Sequence, residues 1–281
     1  MGRVSAWLAR GVHFSNIVDR TSRRFDRLRS ALMVAFASDS FLDEYNALTY
    51  GLENSYRPDS PAFRRGLFDW EERAVERFFP HPPARVLVGG AGGGRESFAL
   101  HEKGYAVVAF DPAEALVRAM RSRIPPESGV RAYRGSYAAL PILTDASGQP
   151  AIDLTDEAPF DAAVLGWTSF SHLRSDRDRV ETLQRFARLT RGPILVSYYP
   201  PPPPPQSNGR RVGPLKGWIK RRMSRRGLSA FSVDIGYYRL LSHDEMADLV
   251  SRAGLTVLCA ERDVNWPYLV IAGAGRDSPG R

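Results

Sequence analysis

Val86-Leu87-Val88-Gly89-Gly90-Ala91-Gly92-Gly93-Gly94-Arg95-Glu96 is the stretch whose reading decides the fold of this chain. The apolar run from Arg85 to Val88 suits a buried strand, and helical spacing resumes after Gly94 through about Lys103. A strand therefore turns sharply into a helix across a glycine cluster. Glycine accepts positive φ and leaves bare backbone for a ligand to lie on. The helix that follows offers free N–H groups at its first turn. G-x-G-x-x-G fails here, because the sixth position counted from Gly90 is Arg95. G-x-G-x-G succeeds at Gly90, Gly92 and Gly94. A Walker A loop is excluded, since no Gly-Lys-Ser/Thr follows.

Working outward, Tyr105–Phe110 reads as a second strand and delivers Asp111 to its tip, 17 residues after Gly94. A carboxylate there can accept hydrogen bonds from a ribose diol. Pro112–Ile124 reads as a helix with proline in its first turn, and Val130–Tyr133 as a third strand. Phe160–Leu165 and Ile194–Tyr199 are strands separated by a helix over Asp176–Thr190. Ser242-His243-Asp244-Glu245 is a capping box that opens a helix to Ala253, before Leu255–Ala260 and Tyr268–Ala272 finish the sheet. The rhythm predicts an α/β fold: a Rossmann-like, mainly parallel, seven-stranded sheet with helices on both faces. The polar stretch 144–159 reads as a surface loop.

The glycine loop paired with Asp111 resembles motifs I and II of the class I S-adenosylmethionine-dependent methyltransferases, over roughly Arg85 to Ala272. The resemblance implies S-adenosylmethionine as cofactor. It would set Gly90, Ala91, Gly92 and Gly94 against the methionine part, and Asp111, with Pro112 beside it, against the ribose. Ser136 and Tyr137 fall where the family often places an acid near the adenine amine. Gly166 and Trp167 fall at motif IV, beside the methyl group and the substrate. Two positions depart from the family: Val88 stands where an acid commonly ends the first strand, and Ser136 replaces the adenine-side acid. A nicotinamide site and a glycine turn that binds nothing are the competing readings.

Residues 1–79 read as an N-terminal helical and aromatic cap, and 80–281 as the cofactor-binding domain with a Pro-rich, basic insert at about 200–236. In the cap, Asp69 is a candidate N-cap, and Tyr50 and Tyr56 are candidate lid or substrate residues. The net charge of +8 is local, because eight basic residues and no acid lie between Pro201 and Val233. Leu215–Arg226 places Leu215, Trp218, Ile219 and Met223 on one helical side, the pattern of an interfacial basic helix. An anionic membrane surface is one partner it would suit, a plain solvated loop is another, and nucleic acid is disfavoured. One cysteine, Cys259, excludes an internal disulfide, and no cluster has metal-ligand spacing. With no apolar run of membrane-spanning length and no signal-peptide layout, a cytoplasmic location, peripheral to membrane at most, is expected.

The motif IV region carries no Asn/Asp-Pro-Pro-aromatic signature of base or amide methylation; it reads Gly166-Trp167-Thr168-Ser169-Phe170-Ser171-His172. His172, just past the fourth strand, could take a proton from an acceptor or simply fix the loop. Of Tyr198 and Tyr199, one should face the site and one the core, and Tyr198 is taken as the candidate. The expectation is methyl transfer to an oxygen or nitrogen of a small-molecule or lipid-like acceptor. The alternative is a non-catalytic cofactor-binding or scaffold protein recruited through its basic insert.

Overall fold

The computed structural model describes residues 21–273 apart from 23, 53–59, 146, 203–228, 263 and 265. Among the described residues, eleven strands and eight α-helices follow the helical residues 24–36. The strands are β1 (Arg85–Gly89), β2 (Ala106–Asp111), β3 (Val130–Arg134), β4 (Ile142–Thr144), β5 (Pro150–Asp153) and β6 (Ala162–Leu165). They continue with β7 (Ile194–Ser197), β8 (Ser229–Ser232), β9 (Gly236–Arg239), β10 (Leu255–Glu261) and β11 (Tyr268–Gly273). The helices are α1 (Asp39–Leu52), α2 (Pro61–Arg65), α3 (Asp69–Phe78), α4 (Arg95–Glu102), α5 (Glu114–Arg121), α6 (Leu154–Glu157), α7 (Asp176–Leu189) and α8 (His243–Arg252).

Nine strands form one sheet in the order β10-β11-β7-β6-β1-β2-β3-β4-β5. The seven expected strands are all present, with β1 parallel to β2 and β6, β2 parallel to β3, and β6 parallel to β7. β11 runs antiparallel between β7 and β10. Four strands are additional: β8 and β9 form a separate hairpin, and β4 and β5 pair antiparallel at the β3 edge, β5 inside the stretch read as a loop and β4 just before it. Leu143 and Leu154 explain the difference, for both are wholly buried amid polar neighbours. The alternation is too short to stand out in sequence.

Side chains of period 2 divide the core between the two faces of the sheet. Val86, Val88, Val107 and Ala109 pack under α3, α4 and Met120. Leu87, Val108, Phe110 and Leu165 pack under Leu183 and Phe186 of α7 and Leu249 of α8. A third, small core joins Val34 and Leu42 to Phe231 and Tyr237, so the N-terminal helices sit on the β8–β9 hairpin. Strand order reverses between β1 and β6, which run parallel, and this opens a crevice at the carboxyl ends of the strands.

Two helix starts differ from expectation. Asp69 is the first helical residue of α3; Phe68 precedes it, and the Glu71 carboxylate accepts the Phe68 N–H. Pro112 lies outside α5, because Asp111 Oδ1 accepts the Ala113 N–H at 2.8 Å and closes a turn before the helix.

Candidate active site

The glycine turn adopts the conformations that only glycine holds cheaply. Gly90, Gly92 and Gly94 have φ of +66°, +56° and +95°. Asp111 is 7% exposed and binds the turn directly, Oδ2 accepting the Gly92 N–H at 2.8 Å. Each Asp111 oxygen thus receives one backbone N–H and keeps a second acceptor site. Burial pushes its carboxyl up to about 6, against the pull of the two N–H groups.

A cavity of about 460 Å³ opens over this edge of the sheet. Its walls include Gly90, Gly92, Phe110, Asp111, Pro112, Ser136, Tyr137 and Trp167 from the sheet side. Asn46, Ala47 and Tyr50 of α1 line it from the cap, and His172 and Arg174 from the loop after β6. Most of the expected cofactor residues therefore meet in one place. Ala91 lines an adjoining recess together with Gly93, Glu96 and Trp167.

Gly94 and Gly166 have other duties. A Cβ on Gly94 would meet Phe98 and Met120 at 2.8 and 2.9 Å, so this glycine serves helix packing. A Cβ on Gly166 would come within 2.5 Å of Gly90 O, and its N–H donates to Gly89 O at 2.7 Å. Neither lines the cavity. Tyr137 also reaches the turn: its hydroxyl lies 3.0 Å from Gly89 O and 2.5 Å from Ser169 Oγ, which bonds Gly166 O at 2.6 Å. The two hydroxyls clasp the ends of β1 and β6 together.

His172 closes a 3₁₀ turn (Ser169–His172) and sits between the cap and the hairpin. Its Nδ1 lies 2.7 Å from Tyr237 O, which can only accept, so Nδ1 carries the proton. The Asn46 amide nitrogen, 3.3 Å from Nδ1, then meets a donor, and its useful bond is the one to Tyr237 O at 3.0 Å. Nε2 is left as acceptor and takes the Tyr50 hydroxyl at 2.5 Å. Burial lowers His172 to about 4, with the Arg174 charge adding to the effect and the Tyr237 bond opposing it.

Tyr198 is a correction. It is 1% exposed within the core under α8, its hydroxyl 3.3 Å from His243 Nδ1, and it lines no part of the cavity. Tyr199 faces the site side instead, its ring 6.2 Å from that of His172. Tyr56 and Leu215–Arg226 lie outside the described residues.

Sequence reasoning missed a buried ion network beneath the turn. Arg95 Nη1 and Nη2 each donate to Glu71 at 2.6 Å, Nη2 also reaches Glu96 at 2.7 Å, and Nη1 bonds Gly66 O. The guanidinium lies 4.0 Å from the Phe68 ring centre and 5.7 Å from that of Trp167. The available signal was Gly-Arg-Glu at a helix start, charged residues where a sheet-packed helix should be apolar. Among the described residues, no group of three or more His, Cys, Asp or Glu could hold a metal ion. No described helix is long and apolar enough to cross a membrane.

This architecture recurs in solved structures. The CcbJ methyltransferase from Streptomyces caelestis superposes with a TM-score of 0.54 at 17% identity, over 80% of this chain and 98% of that one. The PH0226 protein from Pyrococcus horikoshii OT3 gives 0.55 at 16% identity, over 80% and 97%. The glycopeptide N-methyltransferase MtfA, solved in complex with sinefungin, gives 0.50 at 17% identity, over 75% and 87%. The chain has the class I fold of the S-adenosylmethionine-dependent methyltransferases. No family model and no curated protein matches it.

Proposed function

We propose that the chain binds S-adenosylmethionine and transfers its methyl group to an oxygen or nitrogen of a small-molecule or lipid-like acceptor. One observation carries this reading: the cavity that runs unbroken from the Gly90–Gly92 turn and Asp111 to Tyr50 and His172. The residues fit the cofactor. Asp111 has spare acceptor sites for a diol, Phe110 and Leu116 offer apolar wall, and Gly90 and Gly92 present bare backbone. The bound cofactor supplies an electrophilic methyl group.

The protein's part is to orient, to exclude water and to receive a proton. His172 is neutral at ordinary pH, with its tautomer set by Tyr237 O. The acceptor's proton passes to Tyr50 Oη as the Tyr50 proton moves to His172 Nε2, leaving an imidazolium whose Nδ1–H stays on Tyr237 O. A base as weak as His172 does this in concert with methylation, which makes the acceptor proton acidic.

A lipid-like acceptor drawn from an anionic bilayer is supported by the cap surface. Phe25, Leu28, Leu32 and Phe36 recur at helical spacing and are exposed, Phe25 by 64%, and α1 exposes Phe41, Leu48 and Leu52. The Phe231 N–H donates to Ser30 Oγ, so β8, which follows the basic stretch in sequence, packs beside this apolar stripe. Apolar side chains beside basic ones suit anionic lipid.

Thermal unfolding with and without ligand tests the cofactor. S-adenosylmethionine or its demethylated product at ~100 times the dissociation constant should add ~2.7 kcal/mol. Stabilisation by NAD and by neither of these compounds refutes the reading. Transfer of a labelled methyl group to a cell-extract fraction tests turnover; tight binding without any transfer leaves a cofactor-binding protein only.

A further inference from the structure

The recess beside the main cavity is small, about 30 Å³, and shares Gly90, Gly92 and Trp167 with it. Its charged walls are Arg95 and Glu96, 7% and 4% exposed, the Arg95 nitrogens being spent on Glu71, Glu96 Oε1 and Gly66 O. Glu96 Oε1 is committed, accepting from Arg95 at 2.7 Å and from the Trp167 N–H at 3.2 Å. Oε2 takes no hydrogen bond among the described residues. The carboxylate is therefore held in orientation by one oxygen while the other faces the recess. A carboxylate in a buried residue with one oxygen left open is a ready acceptor for a donor brought by a ligand.

Charge balance points the same way. Glu71 and Glu96 share the single guanidinium of Arg95, and burial pushes the Glu71 carboxyl up to about 7, so the cluster takes up a proton where no second cation is present among the described residues. Burial raises the Glu71 and Asp111 carboxyls, and the Glu96 charge adds to the effect on both. Val88 and Gly89, which end β1, offer no carboxylate of their own. A phosphate laid on this turn would meet Glu96 unfavourably; a ligand carrying a compact cation would complete the cluster.

We propose that Glu96 receives the α-ammonium group of the cofactor's amino-acid moiety, and so selects an aminoacyl nucleoside over a nucleotide at this glycine turn. The inference rests on the S-adenosylmethionine reading above. The ammonium donates an N–H to Glu96 Oε2, while Arg95 and the Trp167 N–H keep the carboxylate in place.

Calorimetric binding of three probes tests it: S-adenosylhomocysteine, its analogue lacking the α-amino group, and 5′-methylthioadenosine, which lacks the amino-acid half. Wild-type protein is expected to bind S-adenosylhomocysteine ~10- to 100-fold tighter than the deaminated analogue, the range of a charge-assisted hydrogen bond. Glu96→Gln should close that gap and leave 5′-methylthioadenosine binding unchanged. An equal loss of both amino-acid probes with 5′-methylthioadenosine retained, or a gap that survives the substitution, overturns the proposal. Where the glutamine variant is unfolded, Glu96→Asp decides, since it keeps the charge and shortens the reach: most of the amine preference should go, and full preference overturns the proposal. Wild-type protein that binds all three probes alike overturns this inference alone. Wild-type protein that binds none overturns the cofactor reading and this inference with it.

Discussion

Asp111 and His172 are both shifted by burial, and the two shifts predict opposite pH behaviour. The Asp111 carboxyl sits at about 6, above the ~3.9 of an unfolded chain. Ionising it costs native stability as pH rises through that window, because the native state holds the proton longer. Ribose hydroxyls donate to the ionised form, so S-adenosylhomocysteine affinity should climb from pH 5 to about 6 and level above it. Asp111→Asn should flatten the profile and weaken binding at pH 7.5; an affinity that does not change from pH 5 to 7.5 in the wild type counts against the ribose role. His172, at about 4, lies below its unfolded value, so stability rises with pH between 4 and ~6.5. Its lone pair is already free at pH 5.5, and the catalytic rate should show no inflection near 6.5. His172→Ala should lower the rate by ~10²- to 10⁴-fold with cofactor affinity kept within twofold. An unchanged rate returns His172 to a loop-fixing role.

At the scale of elements, the site depends on close contacts that leave no room for a methyl group. Gly166→Ala would press a Cβ onto Gly90 O at 2.5 Å, where backbone meets backbone and neither side chain can yield. The substitution should force the β6 end away from the glycine turn, cost ~1–3 kcal/mol in denaturant unfolding and weaken cofactor binding as well. Gly94→Ala should cost a similar ~1–3 kcal/mol from its φ of +95° and its contacts with Phe98 and Met120. Asn46 joins α1 to the β8–β9 hairpin through both its amide groups, donating to Tyr237 O at 3.0 Å and accepting the Tyr237 N–H at 2.8 Å. Asn46→Ala removes the partner of the buried Tyr237 N–H and leaves Tyr237 O to His172 alone. Hydrogen exchange should then rise in α1 and the hairpin while β1 and β2 stay protected; uniform exchange across the molecule would show that cap and sheet unfold as one unit.

For the molecule as a whole, the exposed apolar surface of the cap borders the hairpin that follows the basic stretch in sequence. The exposed stripe on residues 24–36 and α1 lies beside the hairpin into which the basic stretch leads. Sedimentation with vesicles should show binding to anionic but not neutral lipid, lost at high salt. Changing Lys220, Arg221, Arg222, Arg225 and Arg226 to serine should remove most of it, at ~1 kcal/mol for each charge near the surface. Changing Phe25 and Leu32 to serine should weaken it independently of salt. Binding that survives both sets, or never occurs, leaves the acceptor's source to be sought in solution.

The sequence by itself determined seven of the sheet's nine strands, the glycine turn and the place of Asp111. Each is written within a window of about ten residues, as period-2 apolar runs and glycines that must take positive φ. Only the tertiary structure decided what faces these groups. Tyr50 and His172 are 122 residues apart, and Asn46 and Tyr237 191 apart, so no local pattern couples them. Alternation along the chain after β7 said that one of Tyr198 and Tyr199 turns inward, yet which one depended on where the cap and hairpin came to rest. Glu71 and Arg95 each stand in the first turn of a helix, and only the packing of α3 against α4 removes the water between them. What the chain encodes locally is geometry of backbone; which polar groups are stripped of solvent, and therefore which ones can act, is set by packing between segments distant in sequence.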